Sequence, residues 1–202
     1  MNSYHRHLSF PVNLVESSIV DFINTVVGDI DSATEIKNKG VGYLKLPVDK
    51  LPKKFIEWFE TTFDNLCIGD CELFYTPAHA EHPMHSDGYQ PFIDFVKINY
   101  VFGGDNSLMH WYTLPDNYVI EKENTVYNTT VTYIPTIAGN RVYSAKIGQP
   151  SLVNVGQPHS VDNSTNSNDR WCICLFPNYK KPGGRVLFND AVNIFKDYIV
   201  GE

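Results

Sequence analysis

From residue 70 onward the chain is written in short runs: DCELFYTP, FVKINYVFGG, SLMHWYTLP, TVYNTTVTYIP, NRVYSAKIG, PSLVNVG, HSVDN and RWCICLF. Each is rich in β-branched or aromatic residues, and each is bounded by Gly, Pro, Asn or Asp, which end strands and make turns. So many short strands in succession predict a mainly β fold, a jelly roll or barrel. At 202 residues such a chain is expected to form one domain, residues 1–202. Within it, segment 1–69 would pack on a β core of about 70–176, followed by a tail at 177–202. No internal repeat or linker divides it.

The segment before residue 70 has a different periodicity. Leu14, Val15, Ile19, Phe22, Ile23, Val26 and Val27 recur with helical spacing, and Asn13 stands where an N-cap would. A helix over 14–30 is predicted. A short strand, VGYLKLP, follows, and then DKLPKKFIEWFETTFDNL opens with Asp49 as a cap and Pro52 early, before Phe55, Ile56, Trp58, Phe59 and Phe63. These helices are expected to cover one face of the sheet, and AVNIFKDYIV predicts a last short helix.

Charge and composition exclude several classes. A net charge of −7 with no long Lys/Arg cluster argues against a nucleic-acid partner, since binding there depends on neutralising phosphates. A small anionic ligand needs only one well-placed Arg. No apolar run approaches the roughly 20 residues that span a bilayer. The start, MNSYHRHLSFPVNL, lacks the pattern of a signal peptide, so a cytoplasmic location is expected, where the sequons at Asn128 and Asn163 carry no meaning. Cys67, Cys71, Cys172 and Cys174 have poor spacing for zinc and are expected to be buried free thiols.

One stretch carries chemistry. In HPMHSDGYQPF, His85 and Asp87 are two apart, so in an extended segment both leave the same face. A metal site needs a third ligand, and His159 in VGQPHSVDN is the best candidate, opening a run that should lie beside the first. Two histidines and one carboxylate on one side of a metal form the facial arrangement of non-heme Fe(II) oxygenases. Arg170, in NDRWCICLF, follows at a spacing that suits a strand, a turn through NSTNSN and a return strand. Its planar fork can hold a carboxylate.

The ordered set HSD, PHSVDN and DRW resembles the H-x-D … H … R pattern of the Fe(II)/2-oxoglutarate-dependent dioxygenases over roughly residues 70–176. It is most similar to the prolyl- and aspartyl-hydroxylase-like branches and to compact phage-encoded oxygenases. The resemblance implies a double-stranded β-helix, a cupin-like jelly roll, with Fe(II) held by His85, Asp87 and His159. It implies that 2-oxoglutarate chelates the iron and pairs its far carboxylate with Arg170. Tyr75 and Tyr100 match tyrosines that reach the co-substrate in prolyl-hydroxylase-like members, and Trp111 would line the pocket. The implied activity is oxidation of a C–H bond with release of succinate and CO2. Halogenating members have a small residue where Asp87 stands, so hydroxylation is favoured. Asp162 or Asn163 would stand behind the ligands.

Other readings use the same residues. Each histidine alone is more often a hydrogen-bonded or surface group than a ligand, and Tyr75, Tyr100 and Trp111 suit a β core. His79 and His82 are expected in a solvated loop leading to the site, in a stretch, HAEHPMHSD, dense enough in histidine that either could reach substrate or an adventitious metal. A cupin-like metal- or ligand-binding protein without turnover would keep the fold and have no use for Arg170. A zinc hydrolase would need a general base, for which Glu81 is the only local candidate. The partner implied is a small molecule or a peptide or protein side chain, with no membrane. No pattern in residues 105–150 selects the substrate, and no feature fixes an oligomeric state.

Overall fold

The computed structural model describes residues 4–15, 18–27, 42–87, 93–117, 121–124, 130–133, 139–148 and 150–201. Residues 88–92 of the HPMHSDGYQPF stretch and the sequon at Asn128 lie outside these. The first elements are β1 (His5–Leu8), α1 (Ile19–Val27), β2 (Gly42–Leu46), α2 (Lys53–Thr62), β3 (Leu66–Thr76), β4 (Glu81–Asp87) and β5 (Val96–Gly103). Then come β6 (Leu108–Thr113), β7 (Glu121–Asn124), β8 (Thr130–Tyr133), β9 (Asn140–Ala145), β10 (Ser151–Asn154) and β11 (His159–Asp162). The last are β12 (Arg170–Tyr179), α3 (Phe188–Ile194) and β13 (Ile199–Val200).

Among the described residues the fold is mainly β, in two antiparallel sheets. A seven-stranded sheet runs β13-β1-β10-β5-β12-β3-β2, and a six-stranded sheet runs β7-β8-β4-β11-β6-β9. Strands β3 to β6 fall alternately in the two sheets, and so do β10 to β12.

The helices differ from their expected limits. The first begins at Ile19, not Leu14, because Ser18 is its cap: the Ser18 hydroxyl accepts the Asp21 N–H at 3.1 Å and donates to the Asp21 carboxylate at 2.7 Å. Asn13 is not the cap, and Leu14 is buried outside the helix. The second begins at Lys53, directly after Pro52, while Asp49 falls in a separate 3₁₀ turn, Val48–Lys50. Leu51 is extended (ψ 154), the conformation that a following proline imposes. The AVNIFKDYIV segment is divided: α3 starts earlier, at Phe188, and ends at Ile194, a 3₁₀ turn follows, and β13 pairs with β1.

What positions the site is the parity of the seven-stranded sheet. Leu73 and Tyr75 on β3, Ile98 and Tyr100 on β5, and Trp171, Ile173 and Leu175 on β12 belong to a core shared with Phe55 and Phe59 of α2 and Phe188 of α3. The alternate positions turn toward the six-stranded sheet, and there Thr76, Lys97, Asn99, Arg170, Cys172 and Cys174 line a cavity. Both faces are buried, so β5 and β12 lack the simple inside-outside alternation of a half-exposed strand. One face meets the helices, and between the sheets an apolar cluster of Val101, Val153, Met109, Trp111 and Phe176 lies beside the polar residues of the cavity.

Candidate metal centre

His85 and His159 are direct partners across β4 and β11, so they share a face. Their ring centroids lie 4.3 Å apart. One donor atom from each of His85, Asp87 and His159 lies within 4.8 Å of the other two, and all three residues are buried. The three residues expected from spacing are thus brought together.

Each imidazole is aimed by the backbone two residues before it, Pro83 within β4 and Gln157 in the bend that leads into β11. His85 Nδ1 lies 2.8 Å from the Pro83 carbonyl oxygen, and His159 Nδ1 lies 2.8 Å from that of Gln157. A carbonyl oxygen only accepts, so each Nδ1 carries the hydrogen, and in the neutral ring Nε2 presents a lone pair. Burial, and then His85, push the His159 imidazole down to about 3, so it is neutral at pH 7. For Asp87 burial acts upward, but the Lys97 ammonium and the two imidazoles outweigh it and hold the carboxyl well below its usual range.

Asp87 is held from both sides. Its Oδ1 lies 3.5 Å from His85 Nε2, and its Oδ2 lies 2.6 Å from the Lys97 ammonium. Lys97 also pairs with Glu72 at 3.0 Å and sits over the Phe176 and Phe74 rings at 4.5 and 4.9 Å. Lys97 and Glu72 are 3% and 5% exposed, so this is a buried ion-paired group. Burial alone would lower the Lys97 amine, and the two carboxylates together raise it well above its usual range.

The cavity beside these three side chains measures about 420 Å³ including its open mouth, and Arg170, 3% exposed, lines it from β12. None of the ion pairs among the described residues involves Arg170. Gly104, at φ +57, leaves the space beside it: a Cβ there would press on the Arg170 side chain at 2.8 Å. Thr76, His82 and Asn99 line the same cavity, and Thr76 Oγ1, His82 Nδ1 and Asn99 Oδ1 are buried without a hydrogen-bond partner among the described residues. Such atoms are costly unless something occupies the space. Two imidazole nitrogens, a carboxylate oxygen and unsatisfied polar neighbours fit a divalent first-row ion with a polar ligand beside it.

Three placements correct the sequence reading. Tyr75 and Tyr100 face the helices, not the cavity: Arg170 pairs directly with Thr76 and Gly103, so Tyr75, one residue from Thr76, points the other way. Tyr75 packs on Trp171 at 4.6 Å, and Tyr100 meets Phe55 edge-on at 6.2 Å. His82 is not in a loop. His82 and His85 are three positions apart on β4 where their partners Val161 and His159 on β11 are two apart, and this bulge turns both histidines into the cavity. Burial, then His85, His159 and Arg170, push His82 down to about 3.

The remaining residues take supporting places. Trp111, partner of His159 across β6, is fully buried and donates to the Asn154 carbonyl at 2.9 Å. Asn163 is buried and ties the Thr76, Pro77 and Asn168 carbonyls together. Asp162 bonds Ser164 instead of standing behind a ligand. His79 is on an exposed turn, and Glu81 is exposed and outside the cavity lining. All four cysteines are free thiols; Cys71, Cys172 and Cys174 are buried, and Cys67 is partly exposed. Lys97, Glu72, Thr76 and Asn99 went unnoticed in the sequence, although Lys-Ile-Asn at 97–99 alternates polar with apolar in a buried strand.

No protein-family model and no curated protein matches the chain. Among solved structures, one described as a non-heme monooxygenase, a ThoJ–Ni complex, aligns over 91% of this chain and 80% of its own length, at 12% identity and a TM-score of 0.38. Among the described residues, no helix is long and apolar enough to cross a membrane.

Proposed function

We propose that the protein is an Fe(II)- and 2-oxoglutarate-dependent oxygenase that hydroxylates a small molecule or a peptide or protein side chain. The observation that carries this reading is the buried polar cluster between the sheets: His85, Asp87 and His159 lie close together, and a buried Arg170, with no carboxylate partner among the described residues, shares their cavity. A double-stranded β-helix is supported by the order β10-β5-β12-β3 in one sheet facing β4-β11-β6-β9 in the other.

In this reading His85 Nε2, His159 Nε2 and Asp87 Oδ1 hold the iron, which when bound supplies the dioxygen-dependent oxidation. Arg170 pairs with the far carboxylate of 2-oxoglutarate, and its fixed fork sets the register of the co-substrate. Thr76, Asn99 and His82 offer a hydroxyl, an amide oxygen and a neutral imidazole to the rest of that ligand. Met109, Val155, Val161 and Phe74 supply apolar walls that keep water from the reacting centre. The hydrolase reading loses its general base, since Glu81 is exposed and not part of the cavity.

The test is anaerobic titration of the metal-stripped protein with Fe(II) and then 2-oxoglutarate, followed by the visible charge-transfer band of the chelate. The band is expected in the native protein and absent in Arg170→Ala. Iron binding without the band points to a metal-binding protein without this co-substrate; no iron binding overturns the proposal.

A further inference from the structure

The geometry points to Lys97 as a positioning residue for the metal centre: it occupies one oxygen of Asp87 and leaves the aspartate a one-oxygen ligand. This rests on the metal-site reading above and adds to it the number of positions left open on the ion. A carboxylate can take one or two places around a metal. In an octahedral site, two imidazoles and one oxygen leave three open places, and a second aspartate oxygen would leave two. Three are needed for a chelating co-substrate and dioxygen together.

Three observations support the assignment. The contact is short, 2.6 Å, and falls on Oδ2, the oxygen other than the one near His85. Lys97 cannot easily follow the carboxylate if it turns, because Glu72 at 3.0 Å holds the ammonium from elsewhere and two ring faces enclose it. The pair Lys97–Glu72 has no net charge, so one Asp87 oxygen is occupied while the ligand set keeps the full negative charge of the aspartate. A lysine needed only to neutralise Asp87 would have no use for the second carboxylate.

The experiment titrates Co(II) into metal-stripped native protein and into Lys97→Met/Glu72→Gln, which removes the ammonium and its second partner together. Affinity is read by calorimetry, coordination by the visible bands of Co(II), and folding by circular dichroism. The expected result is a folded double variant that binds Co(II) about 10- to 100-fold more weakly, as loss of a group behind a ligand does, with bands altered in position and intensity. A folded double variant with native affinity and native bands overturns the inference and leaves the metal site standing. Native protein that binds no Co(II) overturns both. If the double variant does not fold, Glu72→Gln alone decides: Lys97 keeps Asp87 but loses its second anchor, and a loss of about threefold or more with altered bands is expected. Unchanged binding and bands there overturn the inference.

Discussion

His85 and His159 face each other across two paired strands, rings 4.3 Å apart, each donating Nδ1–H to a carbonyl two residues earlier in its own chain. The backbone that forms the sheet also fixes the tautomers, so the lone pairs are directed before any ion arrives. Replacing either histidine with alanine is expected to abolish retention of Fe(II) through gel filtration while the folded circular dichroism spectrum persists. A variant that keeps stoichiometric iron would remove that histidine from the ligand set.

Arg170 is expected to matter for the co-substrate and not for the metal. Charged hydrogen bonds of this kind contribute about 1.5–3 kcal/mol, so Arg170→Ala should weaken 2-oxoglutarate by about tenfold or more. Co(II) affinity in the same variant should stay within about twofold. Equal losses of both would mean that the cavity had collapsed.

Tyr100 separates the structural reading from the resemblance. Its hydroxyl is buried on the helix side without a hydrogen-bond partner among the described residues, and burial pushes it well above its usual range. Tyr100→Phe removes an unsatisfied polar group, which should leave stability unchanged or raise it by about 1 kcal/mol, with no change in 2-oxoglutarate affinity. A clear loss of co-substrate binding would return Tyr100 to the site.

Lys97→Met alone leaves Asp87 and Glu72 as buried carboxylates without their cation. Breaking a buried pair in this way costs about 3–5 kcal/mol, which denaturant midpoints would register. The double change with Glu72→Gln should recover part of it, and failure to do so would argue that the two residues act independently.

Acid should destabilise the metal-free protein in a defined window. The folded His159 pKa of about 3 lies below the ordinary 6.5, so between these values the unfolded chain binds a proton that the folded chain does not. Stability is therefore lost as pH falls from about 6.5 toward 3, by up to about 1.4 kcal/mol per pH unit from this group. His82, also lowered to about 3, acts in the same direction. Asp87, held below its ordinary 3.8, adds its loss only at lower pH. Urea midpoints from pH 7 to 4 should show a shallower slope in His159→Gln; identical slopes would count against a buried neutral imidazole.

The clustering of His85, Asp87 and His159 was legible because the residues are few, ordered and of unusual type: His-x-Asp on one strand end and a histidine after Pro158 require no knowledge of packing. The short β runs were legible for the same reason, as punctuation by Gly, Pro, Asn and Asp is local. Facing was harder. Tyr75 and Tyr100 matched by position along the chain, yet the register of Arg170 with Thr76 and Gly103 turns them outward, and register is a property of three strands together. His82 depended on a bulge, and the Ser18 cap on which of several polar residues meets the first turn. Lys97 and Glu72 come together from β5 and β3, far apart in sequence, and nothing local announces a buried lysine as a partner of a metal ligand.

His85, Asp87 and His159 belong to one sheet, whereas Lys97, Glu72 and Arg170 belong to the other. A metal held there would therefore also be a rivet between two layers that are otherwise joined beside it by an apolar cluster. An ion that draws Asp87 toward the histidines pulls against an ammonium fastened to the opposite layer. Loading should thus be readable far from the pocket, as slower amide exchange along β3 and β12, before any substrate is known.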